Sequence, residues 1–561
     1  MEKSRVMIIA MDQPLDSDTH LKGKMINAEN RAARQASRFP GFDLYGIQRQ
    51  VNRNLSRLQL RLNGKYMGLL DLMNYLKNNR RSSELTPVNA NQNYTLANMV
   101  TLNGIYLYQY LLKEGYDPFI IQNYSLAKLS EALYKRPLAV GISSNFLYLD
   151  DIQEMATQIK EYDPRIPVIA GGMLVKKVLD AGQNLSPQTL NWLSTFQGKV
   201  DAFIVEAQGE QTLVKLLETM KEGGDLRKVP NLAFFDEKGK MLFTPRVKED
   251  LHMDSTAITW DKIPRMYLRK TLPVNTSRGC VYRCRFCSYH RLFPQVHYKS
   301  LEVLREELRL LQGLGFVSHI RFTDDNFTAN KNRLKSVLKM MIKEKFDFTW
   351  SSYARASALD PELVKLMKAS GCEFLDMGIE SGSQTILNNM DKRLERDQAI
   401  NAIRMLNDHG IYSEGGFIVG YPGETPETFS ETVDLINRSG LPYYHPFLFY
   451  YSKDMLVHKE SDKFKLQGLG RAWRHKTMDA VMASHLMSQM IKRIDRGYTD
   501  GQTGNWEAFK LLRGEGYLSD EILEFFRLKR ELQLATEELD PGQEFSQEME
   551  RILDDLDARV R

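Results

Sequence analysis

The sequence predicts an α/β protein of two parallel-sheet units: a doubly wound N-terminal domain, then a partial (β/α)6 barrel, with a helical C-terminal region after it. Three observations carry that prediction. Short, nearly continuous apolar runs such as Leu138-Ala-Val-Gly-Ile142 fit strands covered on both faces. Amphipathic stretches of helical period lie between the runs. The alternation occurs in two blocks, residues 5–225 and 272–452, and repeated strand–helix units imply parallel sheets with right-handed crossovers.

Bulk properties narrow the class. A chain of 561 residues has room for about two to four domains. Hydrophobic residues make up 42%, an ordinary share for a globular chain, and no apolar run reaches the roughly 18 residues of a membrane span. The opening Met1-Glu-Lys-Ser-Arg-Val-Met-Ile-Ile-Ala10 reads as a first strand rather than a signal peptide. A net charge of +5 on this length gives no argument for nucleic-acid binding. No membrane or nucleic-acid partner is expected, and the location expected is the cytoplasm.

In the first block, strands are expected at Val6–Met11, Asp117–Gln122, Leu138–Ser144, Val168–Gly171 and Asp201–Glu206. Helices at Thr101–Glu114, Ser125–Leu133, Asp151–Glu161 and Gln208–Glu222 fill the gaps. A Rossmann-like (flavodoxin-like) sheet of this kind binds ligands in loops beyond its strand ends. Three such loops are polar and carry glycine: Gly141-Ile-Ser-Ser-Asn145, Ala170-Gly-Gly-Met173 and Glu206-Ala-Gln-Gly-Glu210. The domain is expected over residues 1–228, with an insertion at 24–100 rich in basic residues such as Arg31, Arg34, Arg49, Arg53, Arg57 and Arg61. Those charges read first as a solvated helix face and second as a contact for an anionic group.

Residues 229–270 are expected to be a hairpin, Asn231–Thr244 with a glycine turn, and a linker. The barrel is expected over 271–455. Its strand candidates are Leu272–Ser277, His319–Asp325, Phe348–Arg355, Phe374–Ser381, Tyr412–Tyr421 and Tyr444–Ser452, separated by amphipathic stretches such as Leu301–Leu314 and Asn330–Lys345. Chemistry on such barrels sits at the carboxyl ends of the strands. Residues 456–561 read as helical, and Trp473 and His475 suit either a substrate wall or a capping helix.

Three of the four cysteines fall within eight residues: Cys280, Cys284 and Cys287. Three thiolates from one loop can hold three irons of a [4Fe–4S] cube and leave the fourth iron open to a ligand. A structural zinc site is the alternative, with His290 as fourth ligand, although such sites commonly pair two Cys-x2-Cys units. A disulfide framework is not needed by a chain that can bury ample core. Cys372 stands alone before an apolar run and reads as a small buried side chain.

The Cys-x3-Cys-x2-Cys spacing, with Phe286 before the third cysteine, resembles the radical S-adenosylmethionine (SAM) superfamily. Motifs at the successive strand ends extend the resemblance: Thr323-Asp-Asp-Asn326, Trp350-Ser-Ser-Tyr-Ala-Arg355, Gly378-Ile-Glu-Ser-Gly382 and Gly416-Phe-Ile-Val-Gly-Tyr-Pro-Gly-Glu424. The resemblance implies that Cys280, Cys284 and Cys287 hold a [4Fe–4S] cluster whose open iron chelates SAM. By the same resemblance Asp325 lies near the SAM amino group, Arg355 and Glu380 lie near its carboxylate and ribose, and Phe286, Ser381 and Gly420 belong to the same site. Such enzymes draw an electron from a flavodoxin- or ferredoxin-type donor and cleave SAM to a 5′-deoxyadenosyl radical.

The first domain, placed before such a barrel, looks like the cobalamin (B12)-binding module of class B radical SAM enzymes. That likeness assigns Ser143, Ser144, Gly171, Gly172 and Glu206 to the cofactor's nucleotide tail. Asp18-Thr-His-Leu-Lys-Gly23 also fits an Asp-x-His-x-x-Gly motif that supplies an axial histidine in another cobalamin family, which makes His20 a candidate ligand. The match departs from that family, because Gly23 and Ser143 are separated by the long basic insertion.

The single spare cysteine excludes relatives with auxiliary clusters or catalytic cysteine pairs. What the resemblance leaves is a cobalamin-dependent radical SAM methyltransferase. It would move a methyl group from SAM, through cobalamin, to an unactivated carbon (or a phosphinate phosphorus) of a small-molecule or natural-product intermediate. The alternative is a B12-binding radical SAM cyclase, oxidase or rearrangement enzyme without methyl transfer. A ligand sensor is a third reading, and a sensor has no need of SAM-contacting residues at every strand end.

Overall fold

A computed structural model of the chain describes residues 3–10, 44–62, 64–78, 93–122, 126–145, 147, 149–249, 252–293, 295–501, 507–536 and 545–560. These fall into two units: the described residues of 3–10 and 95–269 in one, and those of 44–78, 93–94 and 270–560 in the other. Among the described residues no helix is long and apolar enough to cross a membrane.

The first unit is a seven-stranded sheet. Its strands are β1 (Arg5–Ile9), β2 (Asp117–Ile121), β3 (Ala139–Ser143), β4 (Val168–Gly171), β5 (Ala202–Ile204), β6 (Leu232–Phe235) and β7 (Met241–Phe243), in the order β2-β1-β3-β4-β5-β6-β7. The first five are parallel and β6 and β7 are antiparallel. Helices α1 (Leu102–Lys113), α2 (Leu126–Leu133), α3 (Leu149–Tyr162), α4 (Met173–Leu179) and α5 (Glu210–Lys221) connect or flank the strands. Met7, Ile9, Val140, Ile142, Val168 and Phe203 share one buried cluster with Ile152, Met155 and Ile159 of α3. The doubly wound expectation is met, including the 2-1-3 reversal at which such sheets bind ligands.

The hairpin expected in a linker is instead the antiparallel edge of this sheet. Phe203 pairs with Ala233, and the Asn231 carboxamide fastens the hairpin's exit by accepting from Val247 N–H at 2.7 Å and donating to Val247 O at 2.8 Å. Pairing an otherwise open edge satisfies its backbone groups.

The second unit is six parallel strands in chain order: β8 (Thr271–Val274), β9 (His319–Phe322), β10 (Thr349–Ala354), β11 (Cys372–Glu380), β12 (Tyr412–Val419) and β13 (Tyr443–Leu448). Pro273 lies on the edge strand β8, where its missing N–H costs no ladder bond on the open side. Helices α6 (Leu301–Gly313), α7 (Lys331–Glu344), α8 (Pro361–Ala369), α9 (Gln384–Asn389), α10 (Arg396–Asp408) and α11 (Pro426–Ser439) form the outer layer. Their starts are chemically marked: Ser300, Asn330, Asp360 and Thr425 each accept a backbone N–H in the first turn, which satisfies donors left orphaned by helix geometry.

Further helices follow among the described residues: the one-turn Ser461–Phe464 and Met490–Arg493, and α12 (Ala480–Ser488), α13 (Ala508–Glu515), α14 (Ser519–Thr536) and α15 (Gln547–Asp557). The C-terminal region is not helical throughout, because Gln467–Leu469 and Ala472–Arg474 pair as a hairpin. The described part of the basic insertion belongs with this unit and not with the N-terminal sheet. The Asn54 carboxamide donates to Val481 O and Ser484 Oγ, and Leu69 N–H donates to the buried Asp500. Buried leucines on Leu69–Lys77 explain the preference, since an apolar helix face must be covered. His20, with the rest of its motif, and Arg31 and Arg34 lie outside the described residues.

Candidate active site

The cysteine loop leaves β8 at Val274 and is held by two neighbouring carboxylates at the end of β9. Asp324 is buried and accepts from Thr276 N–H and Thr276 Oγ1, each at 2.6 Å, and from Ser277 Oγ at 2.5 Å. Burial raises its carboxyl above the usual range while these donors oppose the rise. Asp325 accepts from Gly279 N–H at 2.7 Å and from the Tyr289 hydroxyl. Gly279 sits at φ +104, and a Cβ there would fall 2.1 Å from Gln295 O. Only glycine fits that position.

Inside the loop, Cys284 is buried and Cys280 and Cys287 are half-buried, all three as free thiols. Cys287 N–H donates to Cys284 O at 3.0 Å, and Arg285 N–H donates to Met390 O at 2.9 Å. Burial pushes the Cys287 thiol up, and the charges of Cys284 and Cys280 add to the shift. Three such sulfurs become thiolates together only when cations compensate them. Among the described residues no three His, Cys, Asp or Glu side chains converge on a single ion. An iron–sulfur cube takes one thiolate per iron and needs no such convergence. The residues fit that group.

The Arg355 guanidinium lies 3.7 Å from Cys284 Sγ and 3.7 Å over the Tyr282 ring, and it donates to Lys392 O. Its Nε is buried without a hydrogen-bond partner, as are Asn326 Nδ2 and Ser383 Oγ on nearby strand ends. Buried polar atoms left this way mark where a ligand's polar groups would go. Lys392 pairs with Glu380 at 2.9 Å and lies 5.6 Å from the Phe286 ring centre. Glu380 is held at φ +73, a strained backbone for a side-chain-bearing residue. Ser381 accepts from Ser383 N–H, and Gly382 packs so closely on α11 that a Cβ would fall 2.4 Å from Glu431 O.

The Gly420–Gly423 turn is covered by the C-terminal hairpin. A Cβ on Gly420 would meet the Trp473 ring at 2.3 Å, and His475 Nε2 lies 3.2 Å from Gly420 O. Trp473 is fully buried, with its indole N–H donating to Phe449 O. Neither reading of Trp473 describes its place: it lies on a hairpin strand, not on a capping helix, and its buried ring buttresses a turn. Cys372 is buried on β11 as expected, its thiol pushed far up by burial.

In the first unit, Ser143, Gly171, Gly172 and Glu206 come together at the carboxyl ends of β3, β4 and β5, around an open cavity. Asn103, Tyr106 and Leu107 of α1 and Gly209 and Leu213 complete its wall. Asn103 donates to Ser143 Oγ at 2.6 Å. Ser144 does not line the cavity; its Oγ accepts from Val175 N–H at 3.2 Å and starts α4. Gly172 sits at φ +102, with a Cβ placed 2.8 Å from Asn145 Oδ1. Glu206 is 3.7 Å from Lys176. Asp324 was read only as part of the Thr323–Asn326 motif, and Tyr282, Tyr289, Lys392 and Asn103 carried no functional reading in the sequence. Their roles depend on neighbours distant in the chain.

Residues 274–436 match the radical SAM superfamily, a class of enzymes whose cofactors are a [4Fe–4S] cluster and SAM. An uncharacterized methyltransferase of Pyrococcus horikoshii is 27% identical over 344 residues, covering 59% of this chain and 72% of that relative. The anaerobic magnesium-protoporphyrin IX monomethyl ester cyclase of Rubrivivax gelatinosus is 26% identical over 347 residues, 58% of this chain and 60% of the cyclase. Two solved structures share the fold. The radical SAM methyltransferase TsrM of Kitasatospora setae, with cobalamin and a [4Fe–4S] cluster bound, superposes at TM-score 0.53 and 18% identity over 66% of this chain and 76% of that one. The cobalamin-dependent SAM radical enzyme OxsB, with aqua-cobalamin, gives 0.55 and 16% over 84% and 74%.

Proposed function

We propose that the chain is a cobalamin-dependent radical SAM methyltransferase acting on a small-molecule or natural-product intermediate. The carrying observation is the glycine-walled cavity at the switch point of the first sheet, in the same chain as a braced three-cysteine loop. Flat apolar walls from Tyr106, Leu107 and Leu213, with Asn103 and Ser143 at one side, suit the heterocycle and polar tail of a cobalamin nucleotide. The names borne by the relatives support methyl transfer.

When bound, the cluster supplies the electron that splits SAM, and cobalamin relays a methyl group to an unactivated carbon or a phosphinate phosphorus. The chain's own part is to hold and to exclude. Cys280, Cys284 and Cys287 hold the cluster, and Arg355 places a fixed cation beside Cys284 Sγ. Phe286, Asp325, Arg355, Glu380, Ser381 and Gly420 are assigned to the SAM site. Asp325 acts there chiefly through the loop that it grips. Ser143, Gly171, Gly172 and Glu206 would hold cobalamin, with Ser144 shaping the loop, and His20 would be a candidate ligand of its metal. The reductant is a flavodoxin- or ferredoxin-type donor in the cytoplasm.

The likeness to the cyclase favours a second reading, radical cyclisation, oxidation or rearrangement without methyl transfer. Reconstituted protein given methyl-labelled SAM and cell extract separates the two. Label in a new small molecule supports methyl transfer, whereas 5′-deoxyadenosine without transferred label supports the second reading. Cys284→Ala is expected to lose both iron and SAM cleavage, and retention of both would sink the cluster assignment.

A further inference from the structure

Asp325 grips the three-cysteine loop at both flanks, at Gly279 and at Tyr289. A loop held only at its flanks can still shift at its tip. That tip is Cys284-Arg285-Phe286, two residues assigned to the site with an arginine between them.

Arg285 is held from outside the loop on every side. Its N–H donates to Met390 O at 2.9 Å, just after α9, and its carbonyl accepts from Val457 N–H at 3.0 Å. Its guanidinium pairs with the Glu460 carboxylate. Val457 and Glu460 belong to the helical turn Leu456–Glu460, which follows β13 and lies beyond the matched residues 274–436. The same segment reaches the exit of the loop, where Arg291 Nη1 donates to Asp454 O at 3.4 Å. The segment is itself anchored at both ends. The Tyr451 hydroxyl and His458 Nδ1 are hydrogen-bonded at 2.6 Å, and Lys476 N–H donates to Phe464 O at 2.8 Å.

A second observation sets this ion pair beside the middle cysteine. Tyr421, from the Gly420–Gly423 turn, is fully buried, and its hydroxyl feels the charges of Arg285, Glu460 and Cys284 together. Burial pushes that hydroxyl far up, Arg285 opposes the rise, and Glu460 and Cys284 add to it. The side chains of Arg285 and Glu460 are 34% and 24% exposed, so salt and water screen their attraction less than that of an open surface pair. Glu460 also meets Lys463 at 3.2 Å, but that lysine is 60% exposed, where an ion pair contributes little.

We propose that Glu460 is a positioning residue of the three-cysteine loop, fixing Cys284 through Arg285 and neutralising the arginine's charge beside that thiol. Without Glu460 the tip of the loop would keep only its main-chain bonds. The guanidinium would also stand as an uncompensated cation close to the ligands of the cluster. The turn after β13 is therefore part of the site, although it lies outside the six strands. This role rests on the radical SAM reading, because it is toward a cluster that Cys284 is held.

Full-length wild type, Glu460→Ala, Glu460→Gln, Arg285→Ala and the double variant Arg285→Ala/Glu460→Ala, each reconstituted anaerobically with iron and sulfide, test the role. Iron loss to excess EDTA is expected to be about fivefold faster in each single alanine variant. The double variant is expected to be no faster than either single one, because the two side chains act as one pair. Additive effects, or rates equal to wild type, would overturn the proposal. In the apo-proteins, hydrogen exchange over residues 280–291 should quicken in Glu460→Ala and stay unchanged over β9 to β12. A loop that exchanges as in wild type would overturn the positioning role. Glu460→Gln keeps an acceptor for the guanidinium and removes only the charge. Its iron should be retained nearly as in wild type, while the reduction potential of the cluster rises, since a negative charge nearby has gone. A potential that does not move would overturn the neutralising role. A wild-type protein that takes up no iron would instead count against the radical SAM reading itself.

Discussion

Gly279 and Asp325 are joined by one hydrogen bond, main-chain N–H to Oδ2 at 2.7 Å, and this bond ties the cysteine loop to the end of the second barrel strand. The same carboxylate takes the Tyr289 hydroxyl, so it spans the loop on both sides of the three cysteines. A residue expected to meet SAM is thereby a clamp on the three-cysteine loop.

Removing the clamp should release the loop before it affects the rest of the barrel. Hydrogen bonds to a charged group contribute about 1.5–3 kcal/mol, so Asp325→Ala should lower the iron retained after reconstitution by roughly tenfold or more. Far-ultraviolet circular dichroism should be unchanged. Iron and sulfide analysis checks the outcome, and a full cluster in the variant would contradict it.

Gly279→Ala attacks the other partner. The added methyl would lie 2.1 Å from Gln295 O at a φ of +104, so the loop must move. A cost on the order of 1–3 kcal/mol is expected from overpacking alone. Loss of the brown cluster absorbance, with thermal stability of the apo-protein little changed, is the predicted signature.

In the first unit, Gly172→Ala places a methyl 2.8 Å from Asn145 Oδ1 and 3.0 Å from Ser144 Oγ. Cobalamin absorbance retained after anaerobic purification with hydroxocobalamin should fall at least severalfold, while SAM cleavage persists. Equal loss of both would show that the two sites are not separable.

Acidity gives a further check through Glu424. Burial raises its carboxyl from an ordinary 4.5 to about 8. The folded state therefore binds a proton that the unfolded chain has released, and stability falls as pH rises from 4.5 towards 8. The slope is at most about 1.4 kcal/mol per pH unit. Glu424→Gln keeps an acceptor for the Gly420 N–H and should flatten the melting temperature against pH over that window. An identical slope in both proteins would refute the assignment.

How much was legible in the chain follows from the range over which each signal acts. Strands β8 to β13 and their helices were readable because period and caps are local: Asp360-Pro361 and Thr425-Pro426 announce helix starts by themselves. The hairpin Asn231–Thr244 was seen, but its partner β5 was not, because edge pairing depends on the rest of the sheet. Trp473 drew notice as an aromatic near the barrel, yet its burial against Gly420 follows from a hairpin return that no local pattern encodes.

Taken alone, the amino-acid order determined the two-sheet architecture, the three thiols of the cluster loop and the loops that meet around the N-terminal cavity, since each rests on spacing within a few residues. Tertiary structure decided the rest. It turned Asp325 towards Gly279, set Arg355 against Cys284, carried the basic insertion's helices onto the second unit and set Asp376 beside Glu414 on neighbouring strands. Those outcomes depend on register and on which buried group finds a partner, and both are settled only when distant segments share one low-dielectric interior.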